Sequence, residues 1–295
     1  MRNRKGITLV ELIVVIFVIF TILFLALSFW PNPRRKYLVM RLVCGTNLKD
    51  MANALNVYAF DYDDKYPVQG AGTHSWGKTT TNWDDPLKDW ENSDGTVTVA
   101  SSLYLLVREA DVGVKSFVCM GSDQTPFVNE TGNDTLDLWD FGANPTEHQS
   151  YSYQYPYGKF PSHGKSPAGN AIMADRNPWF DEILSASSIE KETMKTFSNK
   201  VSLIDFRGEA NQWNQQIGNS SAHTQDDKKG RRQGQNVLFG DGHVTFERRP
   251  DVGVKYDNIY TIGGDTEEDR RVGTAPTGKS IDSVNSEDSL LVNDR

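Results

Sequence analysis

The distribution of apolar residues divides the chain near residue 31. Residues 7–30, ITLVELIVVIFVIFTILFLALSFW, form an almost unbroken apolar run in which Glu11 is the sole charge. Wound as an α-helix at 1.5 Å per residue, the run is about 36 Å long, enough to cross a hydrocarbon core of about 30 Å with some tilt. The pattern therefore predicts a transmembrane helix over 7–30, with Pro31 and Pro33 weakening or kinking it at the far end. A secretory signal has a shorter apolar core, about 7–15 residues, ending in a small-x-small cleavage site. Leu27-Ser28-Phe29-Trp30-Pro31 is no such site. A plain signal anchor fits the length but leaves Glu11 without a purpose, although a carboxylate costs about 2.5–3.5 kcal/mol near a bilayer centre and less toward its edge. Positive charges stand on both sides, Arg2, Arg4 and Lys5 before the run and Arg34, Arg35 and Lys36 after it, so counting them does not set an orientation.

A helical period resumes over residues 37–62. Leu48, Met51, Leu55, Tyr58 and Tyr62 recur at spacings of three and four with Ala52 and Ala59 beside them, while Lys49, Asp50, Asn53 and Asp61 take the opposite face. Asp63, Asp64 and Pro67 end this helix, and its apolar stripe calls for a sheet or loop layer to cover it. Residues 68–100 are rich in Gly, Thr, Trp and Asp and read as a long surface loop. Residues 101–109 suit a short helix ahead of a strand over 115–119. Residues 124–168 are loop-like again, except that Tyr151, Tyr153, Tyr155 and Tyr157 alternate as in a strand. Residues 171–174 and 201–206 are short apolar runs suited to strands. Asn236-Val-Leu-Phe-Gly-Asp-Gly-His-Val-Thr-Phe-Glu247 is the clearest hairpin, with Gly240-Asp241-Gly242 at its turn. Beyond Gly263 the apolar pattern fades into Asp, Glu, Ser, Thr and Gly, so residues 263–295 are expected to be a disordered acidic tail, with residues 290–292 as a short apolar patch.

The net charge of −8 changes little except to argue against nucleic acid as a partner, because no basic stripe is present to follow phosphates. The two cysteines, Cys44 and Cys119, permit one disulfide in a domain outside the cytoplasm, or else remain two buried thiols. No CxxC pair exists and neither cysteine has a histidine close in sequence, which argues against zinc. His223, Asp241 and His243 are the weak candidates for gathering a metal, but no H-x-x-x-H spacing preorganises them; Asp241 reads as a turn residue and His243 as strand surface. Asp61, Asp63 and Asp64 offer hard oxygen ligands for calcium or, more simply, a solvated helix end. Gly278-Lys279-Ser280 lacks the upstream glycine of a phosphate loop. No nucleophile elbow, dinucleotide fingerprint or triad is evident, so an enzyme is not expected and calcium is the one cofactor left open.

Lys5-Gly6-Ile7-Thr8-Leu9-Val10-Glu11-Leu12-Ile13 resembles the leader junction of type IV pilins and of the pseudopilins of type II secretion. The resemblance implies cleavage by a membrane aspartyl peptidase after Gly6, methylation of the new amino terminus at Ile7, and an assembly role for Glu11, the fifth residue after the cut. The usual first mature residue is phenylalanine, and Ile7 departs from it. The chemistry suits that assignment: glycine leaves the scissile backbone accessible, and Glu11 of a neighbouring subunit can neutralise the free amine of Ile7 inside an apolar bundle. A second resemblance is to pilin-related proteins with a cysteine-Asn-Leu helix, here Cys44-Gly-Thr-Asn-Leu-Lys, and a carboxy-terminal Asp-Gly-His-Val signature, here residues 241–244. That signature usually follows a histidine nine residues upstream, where this chain has Arg231; His223 is the nearest histidine. Asp257-Asn-Ile-Tyr-Thr261 fits the same ending.

Together these readings imply an α+β, pilin-like fold: a long N-terminal helix, half membrane and half amphipathic, packed on an antiparallel sheet with long loops. The expected divisions are a leader at 1–6, the transmembrane helix at 7–30, its amphipathic continuation at 31–66, a globular domain at 67–262 and the tail at 263–295. The implied function is that of a single-pass inner-membrane subunit with its C-terminal domain outside the cytoplasm, polymerising into a pilus or secretion pseudopilus. Its expected partners are a prepilin peptidase, like or related subunits, and membrane lipid. The alternative is an anchored binding module that uses the same leader and never polymerises.

Overall fold

The structure is a computed structural model that describes residues 6, 8–28, 33–70, 75–90, 95–180, 218–224, 232–274, 276 and 281–294. It falls into two compact units, Met1–Leu38 and Val39–Arg295.

The first unit holds helix α1 (Leu9–Ser28) and the start of a second helix, α2 (Pro33–Asp61). The expectation of one long helix with a membrane half is corrected. The two helices are separate elements, and among the described residues no helix is long and apolar enough to cross a membrane. Pro33 opens α2: it has no amide proton, and a first-turn N–H has no helical partner in any case.

The second unit is α+β. Along α2, Cys44, Leu48, Met51, Leu55, Tyr58 and Ala59 are buried while Lys49, Asp50, Asn53 and Asp61 are exposed, as the stripe predicts. Beyond it, β1 (Ser75–Trp76) pairs in parallel with β2 (Thr96–Val97), so part of the expected long loop is ordered by strand pairing. Helix α3 (Val99–Ala110) follows, opened by a capping box between Thr98 and Ser101 and closed at Asp111 in the left-handed conformation. A five-stranded antiparallel sheet then forms from β3 (Tyr151–Gln154), β4 (Ala171–Asp175), β5 (Gln235–Phe239), β6 (Val244–Glu247) and β7 (Leu291–Val292), in the order β6-β5-β4-β3-β7. Between β5 and β6, Gly242 takes a φ of 80°, and a side chain at Gly240 would collide with the Pro167 carbonyl.

The sheet is covered on both faces. Tyr151, Tyr153, Ile172, Leu238 and Val292 join the α2 and α3 side chains in one core. Ala171, Ala174, Val237, Phe239 and Leu291 form a second core with Ile259 and Tyr260. Ile259 and Tyr260 stand just before the region expected to be a disordered tail, and the expectation of disorder over 263–295 is itself corrected. Residues 267–272 form helix α4 (Glu267–Val272), and Leu290, Leu291 and Val292 are 0% exposed, with β7 pairing on β3. Composition misleads here because the acidic groups are structural acceptors: Asp288 accepts from the backbone N–H groups of Gly263 and Val284, and Asp257 from that of Ser289. The strand expected over 115–119 is also corrected. Val114–Phe117 is a 3-10 turn, because Ser116 and Val118 donate back to Gly113 and Lys115 instead of to a neighbouring strand. The strand expected over 201–206 lies outside the described residues.

The end of the chain also closes α3. Asp294 accepts from the Val99 and Ala100 backbone N–H groups at 2.7 and 2.8 Å, and from Trp76 Nε1 at 2.8 Å. Asp140 lies in the same buried pocket and accepts from the hydroxyls of Thr80 and Thr98 at 2.6 and 2.5 Å. Burial, and then the charge of Asp294, push the Asp140 carboxyl up to about 7 from its ordinary 3.8. The folded chain thus holds this proton more tightly than the unfolded chain does. Stability from this group is full below about pH 4 and is lost as pH rises through about 7, by on the order of 2–4 kcal/mol. Urea unfolding of Asp140→Asn across that window is expected to show a shallower fall than the parent; an unchanged slope would mean that Asp140 titrates normally.

Candidate functional site

The N-terminal residues of interest sit on an exposed segment. Gly6 is exposed, with nothing within 4 Å of where a side chain would begin, while Ile7 lies outside the described residues. Thr8 and Glu11 form a reciprocal cap on α1: Glu11 Oε2 accepts from Thr8 N at 2.8 Å and from Thr8 Oγ1 at 2.9 Å, and Glu11 N donates to Thr8 Oγ1 at 3.3 Å. The spacing Thr-x-x-Glu, visible in the sequence, is the signal for this cap. The other polar side chain of α1, Thr21, donates to the Phe17 carbonyl at 2.8 Å. Every large apolar side chain described on α1 is exposed, from 44% at Ile16 to 75% at Leu9.

A second constellation is buried in the domain. Cys44 of α2 and Cys119, in the loop after α3, are joined as a disulfide with Cα atoms 5.2 Å apart. His223 ends the short turn Ser221–His223, which Ser220 caps through the Ala222 N–H. That turn reaches the disulfide because residue 121 is glycine: a side chain there would collide with the Ala222 carbonyl oxygen. His223 Nε2 lies 3.9 Å from Cys119 Sγ, 3.0 Å from Asp175 Oδ2 and 3.1 Å from Asn236 Nδ2. Asp175 Oδ2 also accepts from Asn236 N at 2.6 Å. Asp175 ends β4 and Asn236 lies on β5, so the two central strands hold both from beneath. Sequence reasoning found the cysteines and His223 separately and missed Asp175 and Asn236. A polar residue closing the apolar run of β4 was the available signal. A single ring nitrogen faces all these partners, whereas a nucleophilic triad needs one ring nitrogen for the nucleophile and the other for the orienting carboxylate.

The three sequence candidates for a metal do not assemble. Asp241 and His243 are paired with each other on the exposed β5–β6 turn, where the His243 ring stacks on Phe239 at 4.6 Å. Among the described residues, the group of His, Cys, Asp and Glu side chains close enough to share an ion is Cys44, Cys119, Asp175 and His223. In the acidic loop after α2, Asp63 and Asp64 adopt φ of 54° and 61°, and Asp64 is paired with Lys165. That loop borders an open groove of about 840 Å³, where Tyr58 and Tyr62 stack at 4.1 Å beside Tyr66, Tyr157 and His163.

Comparison of the chain with protein-family models, with curated proteins and with solved structures gives no match.

The disulfide closes a loop of 75 residues, for which loop-closure entropy amounts to roughly 4 kcal/mol. The double variant Cys44→Ala/Cys119→Ala is expected to lose about that much in urea denaturation and to become insensitive to reductant. Reductant-insensitive stability in the parent would contradict a formed disulfide.

Proposed function

We propose that this chain is a pilin-like or pseudopilin subunit, processed between Gly6 and Ile7 and assembled through α1. The observation that carries the reading is α1 itself. Its large side chains are apolar on every side and exposed, and its two described polar side chains, Glu11 and Thr21, are satisfied locally, by Thr8 and by the Phe17 carbonyl. Such a surface demands an apolar surrounding, supplied by lipid before assembly and by the helices of other subunits after it. The leader string Lys5-Gly6-Ile7 supports a cut that frees an amine at Ile7, four residues before Glu11. Glu11 then exchanges its cap on Thr8 for the amine of a neighbour, and a charge that is costly in an apolar bundle becomes the group that sets register.

A second reading, an anchored binder that never polymerises, is favoured by the tyrosine-lined groove beside the acidic loop. Glu11→Ala distinguishes the two. Sedimentation of sheared surface filaments from cells expressing the variant is expected to recover at most about a tenth of the parent amount, the loss that removing one apolar-phase charge pairing of roughly 1.4 kcal/mol or more produces. Recovery equal to the parent, or no sedimentable material from the parent itself, would favour the solitary binder.

A further inference from the structure

We propose that Cys44, Cys119, Asp175 and His223 form a redox-gated zinc site: closed as a disulfide when oxidised, and a four-ligand metal site when the disulfide is reduced. The four ligand atoms, one from each residue, all lie within 4.8 Å of one another and all four residues are buried. In a tetrahedral zinc centre with Zn–S of about 2.3 Å and Zn–N of about 2.0–2.1 Å, ligand atoms stand roughly 3.3–3.8 Å apart. The separations of His223 Nε2 from Asp175 Oδ2, 3.0 Å, and from Cys119 Sγ, 3.9 Å, differ from that spacing by only a few tenths of an ångström. Opening the sulfur–sulfur bond is the main movement the site requires.

A separate observation points to a ligand. Asp175 Oδ1 is buried and has no hydrogen-bond partner among the described residues, although the other oxygen of the same carboxylate takes several contacts. A buried carboxylate left with one oxygen unpaired carries a desolvation cost, and a cation held at the other oxygen draws charge from the whole group and lowers it. The donor set suits zinc: two thiolates, an imidazole nitrogen and one carboxylate oxygen are borderline-soft to hard ligands in a closed structural arrangement. Neither cysteine has a histidine near it in sequence, so the site is made by the fold, with α2, the loop after α3, β4 and the Ser221–His223 turn each supplying one ligand.

The chemistry balances as follows. A dithiol donor delivers two electrons and two protons to the Cys44–Cys119 bond, leaving two thiols, and departs as its own disulfide. Zn²⁺ then displaces both thiol protons to solvent and binds the neutral His223 at Nε2 and the Asp175 carboxylate. Two thiolates and one carboxylate against Zn²⁺ leave one net negative charge, and the Asn236 amide groups lie against Asp175 and His223. The site lies wholly within residues 39–295, so its behaviour is independent of how the N-terminus is processed.

The test uses the full chain, reduced anaerobically with a water-soluble phosphine (which leaves as the phosphine oxide) and titrated with Co²⁺, then with Zn²⁺ in competition. The expected result is one metal ion per chain, with thiolate-to-cobalt charge-transfer absorption and tetrahedral d–d bands that Zn²⁺ abolishes. The untreated, oxidised chain is expected to show neither. His223→Gln and Asp175→Asn, each checked for folding by near-ultraviolet circular dichroism in the oxidised state, are expected to weaken zinc binding at least as much as the 10–100-fold typical of changes behind a ligand shell. If reduction loosens the fold, zinc should restore the near-ultraviolet signal. The proposal is overturned if the reduced chain gives no charge-transfer band, if zinc fails to restore a fold lost on reduction, or if both variants bind as tightly as the parent. Should both variants fail to fold when oxidised, the cobalt spectrum of the reduced parent decides, since imidazole and carboxylate ligation give d–d bands distinct from those of two thiolates with water.

Discussion

The uncovered apolar surface of α1 is the constraint on which the functional account depends. Burying one side chain such as Leu, Ile, Val or Phe gains about 1.5–3 kcal/mol, and residues 9–25 expose more than a dozen of them. The total is tens of kcal/mol, comparable with or larger than the whole stability of an ordinary domain. Leaving that surface in water is costly. Lipid or the apolar helices of other subunits would both cover it, and in either setting apolar contact alone specifies no partner, because lipid tails are as apolar as leucine. Under the proposed assembly Glu11 is the group that would choose a neighbour; in the structure it is satisfied by its cap on Thr8.

The domain is governed by a different requirement, the covering of both faces of its sheet. The stripe on α2 announced one cover, and its buried and exposed positions fall where the three- and four-residue spacing put them. The other cover was less legible. Ala171-Ile-Met-Ala and Val237-Leu-Phe are continuous apolar runs instead of alternating ones, which is how a strand buried on both faces reads. The segment after that cover, which ends in the edge strand β7, has so many Asp, Ser and Gly residues that local composition pointed to disorder. Its carboxylates serve as acceptors for backbone N–H groups many residues away, as Asp294 does for Val99 and Ala100, and no local pattern records such a pairing. The turn over Val114–Phe117 departs from the expected strand for a related reason: its Ser116 and Val118 amides donate back to Gly113 and Lys115, a local pairing that residue types alone do not record.

The buried polar cluster shows the same division. The cysteines and His223 each stood out by residue type, yet they are separated by long stretches of chain, and their meeting with Asp175 depends on the register of β4 and β5 and on the close approach that Gly121 allows. His243 and Asp241, prominent because they fall in a recognisable string, turned out to be a pair on an exposed turn. A motif in sequence therefore marked a hairpin, while the chemically richer group was assembled by the fold.

The central claim is that the apolar helix is exposed to its final surroundings only after a cut at Gly6. It is tested most directly by the mass and amino-terminal sequence of the protein extracted from membranes of cells with and without an active prepilin peptidase. The account predicts a chain that starts at Ile7 and carries one added methyl group when the peptidase is present, and an intact Met1 when it is absent. An intact Met1 in the presence of active peptidase would contradict it and leave a plain anchored domain.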